Sequence, residues 1–330
     1  MSNKEKTILS GMRPTGKLHL GHLIGVLDNW SQLQENYNCV FEVADWHALT
    51  TKYDQTENIQ QHIREMVADW ISAGIDPAES IIFVQSDIPE IAELNLLLSM
   101  IVSVGRLERN PTYKEQIEEL GENDAIPFGL LEYPVLQATD ILFPKADVVP
   151  VGEDQLPHIE ITREIARRFN HLYEEVFPEP ESQLAEVPRL PGLDGRKMSK
   201  SYGNAIYLAD GKEEIQDKVN QMVTDPDRIR LSDPGNPEVC SVFDFHKIFN
   251  DAERVEKIDE ACRSAELGCV ECKEELAEVL IAKTADIRKK REELLADPAQ
   301  LDQILKEGGE QAREIASQTL SEVKTAMNMR

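Results

Sequence analysis

Short apolar runs alternate with helix-period stretches along the first two-thirds of the chain. Thr7-Ile8-Leu9-Ser10, Val40-Phe41-Glu42-Val43-Ala44, Ser80-Ile81-Ile82-Phe83-Val84 and Asp147-Val148-Val149-Pro150-Val151 are brief and mostly rich in β-branched or aromatic residues, which predicts strands. Residues 18–33, 58–73, 89–104 and 156–169 instead carry apolar residues at helical spacing. Pro89 opens one of these helices, at the position where its missing N–H costs nothing. Such alternation predicts an α/β fold, a doubly wound parallel sheet with helices on both faces. From Glu174 to Gly203 prolines, glycines and polar residues interrupt the pattern, which predicts a long functional loop or linker. Beyond Gly211 the chain is helix-rich, acidic and short of strand signals, so a domain boundary is expected near Leu208. No internal repeat is visible, and the short Glu/Lys runs read as solvated helix faces.

In an open parallel sheet, ligands gather at the carboxyl ends of the strands. Gly11 to His22, Asp45-Trp46-His47 and Gly152-Glu153-Asp154-Gln155 all follow expected strands, so they should meet in one crevice. The first segment, Gly-Met-Arg-Pro-Thr-Gly-Lys-Leu-His-Leu-Gly-His, is a tight turn running into a helix. It sets His19 and His22 on one face of the first helical turn. A His-x-x-His pair alone fits a solvated or zinc-binding pair. At the head of the first βα unit, beside free backbone N–H groups, it points to a nucleotide phosphate. Gly195-Arg196-Lys197-Met198-Ser199-Lys200-Ser201 puts two lysines and two hydroxyls in a glycine-flanked loop, suited to closing over phosphates. Tyr133, Gln137 and Asp140 line one face of an otherwise apolar helix, with Pro134 expected near its start. Polar groups on a buried face need partners, and a carboxylate there suits a donor-only ligand.

At 330 residues, 41% hydrophobic and 29% charged, the composition is that of a soluble globular protein long enough for two domains. No stretch is apolar for long enough to span a membrane and no signal peptide is visible, so a cytoplasmic protein is expected. Sixty-one acidic against 35 basic residues give −26, which argues against non-specific nucleic-acid binding, DNA included. A nucleic-acid partner would meet local basic groups such as Arg228, Arg230 and the run Arg288-Lys289-Lys290-Arg291. Of five cysteines, Cys39 stands beside a strand and reads as buried core. Cys240, Cys262, Cys269 and Cys272 crowd one short window and are expected to converge on a metal. Spacing alone leaves tetrahedral zinc and an iron–sulfur cluster equally open.

His19-Leu20-Gly21-His22 with Lys197-Met198-Ser199-Lys200-Ser201 resembles the paired signatures of class I aminoacyl-tRNA synthetases. The Val151-to-Gln155 run and Arg167-Arg168-Phe169-Asn170 are most similar to the tryptophanyl branch, with the tyrosyl branch as its nearest rival. The resemblance implies a Rossmann-like (HUP-type) catalytic domain over 1–208, with a connective helical segment at about 87–130. It further implies a helical anticodon-recognition domain over 209–330 carrying the four-cysteine centre. The implied reaction is activation of L-tryptophan by ATP with Mg²⁺ and transfer to tRNA(Trp). His19, His22, Lys197 and Lys200 would be catalytic. ATP would meet Arg13, Pro14, Thr15, Gly21, His22, Gly152, Glu153, Asp154, Leu190 and the Lys197, Met198, Ser199, Lys200 and Ser201 loop. Tryptophan would meet Asp140 through its indole N–H, Tyr133 and Gln137 through its amino group, and His47, Val149, Val151, Gln155 and Leu9 along the wall. His22 stands where many bacterial members carry asparagine, and Leu9 where some carry an aromatic ring. Some relatives hold a [4Fe–4S] cluster on a similar cysteine spacing, which favours that group over Zn²⁺. Family members are homodimers, and 87–113 is the expected interface.

Overall fold

Five parallel strands form one sheet in the order β3-β2-β1-β4-β5. They are β1 (Thr7–Met12), β2 (Asn38–Val43), β3 (Ser80–Val84), β4 (Val148–Val151) and β5 (Glu181–Leu184). The structure is a computed structural model that describes residues 4–119, 125–184 and 190–330. Residues 120–124 of the expected connective segment and 185–189 of the expected linker lie outside them.

The first four strands are those the apolar runs predict. Their residues alternate between two apolar cores, as a period of two requires. Ile8, Phe41, Ile82 and Val148 join one core, and Leu9, Val40, Ile81 and Val149 the other. In the first, Trp30 stacks on Phe41 at 4.4 Å and meets Trp70 edge-on at 5.1 Å. Each such fully buried aromatic side chain contributes on the order of 1.5–3 kcal/mol. The fifth strand falls inside the expected linker. Glu181-Ser182-Gln183-Leu184 is a half-exposed edge strand with no apolar alternation to announce it.

Two helices depart from expectation. The helix Phe128–Leu142 begins well before Pro134, so the proline sits inside it and removes a bond to the Leu130 carbonyl. The helix expected over 89–104 ends at Ser99, where its last turn tightens into i→i−3 bonds (Ile101 to Leu98, Val102 to Ser99). A four-residue helix, Val104–Leu107, follows.

The C-terminal helices pack back onto the sheet. Leu276, Leu280 and Leu294 share the core of Trp30 and Trp70, and Arg291 makes a buried 2.6 Å ion pair with Asp69. Pro298–Ala326 then crosses to the second core, where Ala312, Ala316 and Leu320 lie. It covers the edge of β3 so closely that a Cβ on Gly308 would stand 2.0 Å from the Ile82 carbonyl oxygen. An otherwise open sheet edge is thereby closed.

Candidate active site

The segments following β1, β2 and β4 do converge. From the first turn of Asp45–Lys52, His47 Nε2 lies 2.8 Å from Asp140 Oδ2. Asp140 is 2% exposed and also accepts from Gln85 Nε2, at 3.0 Å to each oxygen. Two helical turns toward the N-terminus, the Tyr133 hydroxyl lies 2.7 Å from His158 Nε2. His158 Nδ1 lies 3.0 Å from Gln155 Oε1, and Gln155 Nε2 donates to Asp154 at 2.7 Å. That last bond fixes the Gln155 amide, because a carboxylate only accepts. The Gln155 oxygen therefore accepts from His158 Nδ1–H, which leaves Nε2 to accept from the tyrosine. Burial keeps this histidine neutral, lowering its pKa to about 4, and raises that of Tyr133 to about 12. Gln137 completes the chain with a long 3.5 Å contact to Gln155. Leu9, Val149 and Val151 are buried in the core on the helix Phe128–Leu142 side of the sheet.

The second half of the site is built from the turn after β1. Arg13-Pro14-Thr15 closes through a Thr15 N–H bond to the Arg13 carbonyl. His19 N–H donates to His22 Nδ1 at 3.2 Å, and the two rings lie 3.8 Å apart. The helical run that follows, over 20–33, is π-helical at Leu23–Leu27, a local widening that recurs at functional sites. Leu20 N–H bonds to the Ile206 carbonyl and Leu208 N–H to the Leu18 carbonyl, so the turn is sewn to the chain just past the lysine loop. Lys200 Nζ reaches across to the Gly16 carbonyl at 2.8 Å and to Thr15 Oγ1 at 3.4 Å. Asn204 shapes the loop: it accepts from Ser199 N–H at 2.8 Å and donates to the Lys197 carbonyl at 3.2 Å. Ser199 and Ser201 hydroxyls pair at 2.8 Å, Met198 is buried against Leu190, and Lys197 is exposed at the rim.

Here the electrostatics are unfinished. Burial first, and then the Lys200 charge, lowers the pKa of His19 to about 4. Burial and the neighbouring His19 and Lys200 charges bring His22 to about 3. Burial lowers Lys200 itself to about 8. His19 Nδ1 is buried with no partner. A buried polar atom without a bond is costly unless a ligand supplies one. Beside β4, Gly152 leads into the short helical turn Glu153–Gln155, whose Glu153 and Asp154 face solvent.

Several contributors escaped sequence reasoning. Gln85 is the polar residue directly after an apolar strand, a signal that was available. His158 sits one turn past Gln155 on an amphipathic helix, where nothing in the pattern singled it out. Of the basic run, Arg288 is bonded to Thr284 and the Ile281 carbonyl and Arg291 to Asp69, leaving only Lys289 and Lys290 exposed.

Cys39 is buried, 2% exposed, as expected. The four clustered cysteines come from the head of Ser241–Phe249, from Ala252–Arg263 and from the first turn of Cys269–Lys283. All are free thiols. Arg228 Nη1 stands 3.8 Å from both Cys262 and Cys269 sulfurs, while burial and then the other three thiols push Cys272 up to about 12. The expected single metal-ligating set is not formed: among the described residues, no three His, Cys, Asp or Glu side chains converge as ligands of one ion.

A parallel sheet with a His-x-x-His turn after its central strand, and a lysine loop docked on that turn, defines the catalytic core of a class I aminoacyl-tRNA synthetase. The family model described as tRNA synthetases class I (W and Y) matches residues 1–283, and the chain belongs to that family. It is 55% identical to the tryptophan--tRNA ligase of Thermotoga maritima, across 98% of this chain and 99% of that one. It is 46% identical to the Aquifex aeolicus tryptophan--tRNA ligase at the same coverage. The crystal structure of Campylobacter jejuni tryptophanyl-tRNA synthetase complexed with ADP and tryptophan superposes with a TM-score of 0.91 at 33% identity, covering 98% of this chain and 100% of that one.

Proposed function

We propose that this enzyme carries out the tryptophan--tRNA ligase reaction in the crevice at the carboxyl ends of β1, β2 and β4. The observation that carries this reading is Asp140, a buried carboxylate already held by His47 and Gln85 and suited to the donor-only indole N–H. Tyr133 and Gln137 take the α-amino group, and His47, Gln155, Val149, Val151 and Leu9 form the wall.

The tryptophan carboxylate attacks the α-phosphate of ATP in line, giving tryptophanyl-adenylate and pyrophosphate. Little covalent help is required, so positioning and charge stabilisation dominate. His19 and His22 contact the phosphates, with Arg13, Pro14, Thr15 and Gly21 shaping the turn. Gly152, Glu153 and Asp154 hold the ribose and adenosine, with Leu190 near the adenine. Lys197 and Lys200, carried by Met198, Ser199 and Ser201, offset the charge that develops on the leaving pyrophosphate. Mg²⁺ would accompany ATP and offset part of the charge of its phosphates. Transfer to the 3′ end of tRNA(Trp) releases AMP.

Residues 209–330 are read as the anticodon-recognising part, with Arg228, Arg230, Lys289 and Lys290 as its phosphate contacts. Cys240, Cys262, Cys269 and Cys272 would hold a [4Fe–4S] cluster there and pin three helices. The Arg228 guanidinium beside the Cys262 and Cys269 sulfurs would offset part of the negative charge of such a thiolate centre. The exposed Leu96, Met100 and Val104, four residues apart, together with Phe128 support a homodimer through the 87–113 segment. Iron and sulfide content and sedimentation mass test these two readings; stoichiometric zinc without iron, or a monomer, overturns the respective one.

ATP–pyrophosphate exchange with tryptophan, with tyrosine and with neither tests the main reading. Exchange dependent on tryptophan is expected; dependence on tyrosine, or none on either, contradicts it.

A further inference from the structure

Glu42 is a buried titratable group beside the site that the mechanism leaves unused. It sits in β2, 2% exposed, with Gly11 of β1 on one side and Phe83 of β3 on the other. A Cβ on Gly11 would stand 2.8 Å from the Glu42 carbonyl oxygen and 3.1 Å from its Cβ, so glycine provides the room required here. The Glu42 carboxyl faces that of Asp140, and its Oε1 is buried with no partner. Two carboxyl groups bond only when one proton lies between them.

The groups around this pair decide which carboxyl keeps that proton. Asp140 faces Glu42 from Phe128–Leu142, and Asp45 from the head of Asp45–Lys52. His47 reaches Asp140, Asp87 faces Asp45, and β1 and β3 bring no charged side chain. Asp140 has donors in His47 and Gln85, whereas Glu42 has no cation beside it. Burial and the two neighbouring carboxyls hold the Glu42 pKa well above the usual range.

We propose that Glu42 is a positioning residue for amino-acid recognition: as a neutral acid beneath the pocket it donates its O–H to Asp140 and aims that carboxylate at the indole N–H. With His47, Gln85 and Glu42 all donating, about one of the roughly four lone-pair sites of Asp140 is left for the substrate. The inference rests on the reading of Asp140 as indole acceptor, and its test separates the two.

Exchange kinetics in tryptophan are compared for the wild-type enzyme, Glu42→Leu, Glu42→Gln and Asp140→Asn, near neutrality and near pH 9. Glu42→Leu is expected to raise KM for tryptophan about tenfold with kcat within about threefold, the loss of one hydrogen bond to a charged group. Glu42→Gln keeps a donor and recovers most of that loss. The wild-type KM rises toward alkaline pH as Glu42 ionises, and Glu42→Gln lacks that rise. A raised KM in Asp140→Asn with a wild-type KM in Glu42→Leu overturns the role of Glu42 and leaves Asp140 standing. A wild-type KM in Asp140→Asn overturns the Asp140 reading itself. Should Glu42→Leu fail to fold, an alkaline rise in Glu42→Gln equal to that of the wild type overturns the inference.

Discussion

The two halves of the crevice are in opposite states of completion. On the Asp140 side the proposed binding residues already hold one another: Gln85 and His47 on the carboxylate, then Tyr133, His158, Gln155 and Asp154 in one directed chain. On the His19 side the bonds run out. His19 Nδ1 is unpartnered, and both histidines and Lys200 are held toward their neutral forms by burial. On the proposed reading the first half would recognise tryptophan by fixed geometry, which demands that its groups be placed before the substrate arrives. The second half would draw its compensating negative charge from the phosphates of ATP.

This contrast predicts separable defects. The largest belongs to Lys200→Ala: exchange kcat falls by about a hundredfold or more, while KM for tryptophan stays within about threefold. A variant that keeps wild-type exchange would remove the lysine loop from the phosphate half. Asp140→Asn comes next, raising KM for tryptophan by roughly tenfold to a hundredfold with a smaller change in kcat, since it sets an amide donor among groups that themselves donate. If it lowered kcat alone, the two halves would not be distinct.

What the sequence revealed of these halves follows from how each is encoded. His19, His22, Lys197 and Lys200 lie within short local stretches, where spacing along the chain is spacing in space. The Tyr133, Gln137 and Asp140 face was readable for the same reason, because a helix repeats. Glu42 and His158 reach the site through sheet register and helix packing, which no local pattern records, while Gln85 is marked only as the polar residue that follows an apolar strand. β5 escaped because a half-exposed edge strand need not be apolar, and the inner position of Pro134 because helix starts are weakly marked. The four cysteines were gathered correctly by proximity in sequence, but their meeting at a single ion was not formed.

Calorimetry tests the contrast most directly. Pyrophosphate and tryptophan are each titrated into the free enzyme at about pH 5.5, in two buffers of different ionisation enthalpy. His19 and His22 stand at about 4 and about 3 without ligand, well below the usual histidine value of 6.5. An anion beside them raises both, so pyrophosphate should bind with net proton uptake that fades as the pH climbs past the ordinary histidine range. The same depression makes the free enzyme lose stability as the pH falls from about 6.5 toward 4, because only the unfolded chain then binds those protons. Tryptophan should bind with little proton exchange. Equal uptake for both ligands, or none for pyrophosphate, would contradict a site finished on one side and waiting for charge on the other.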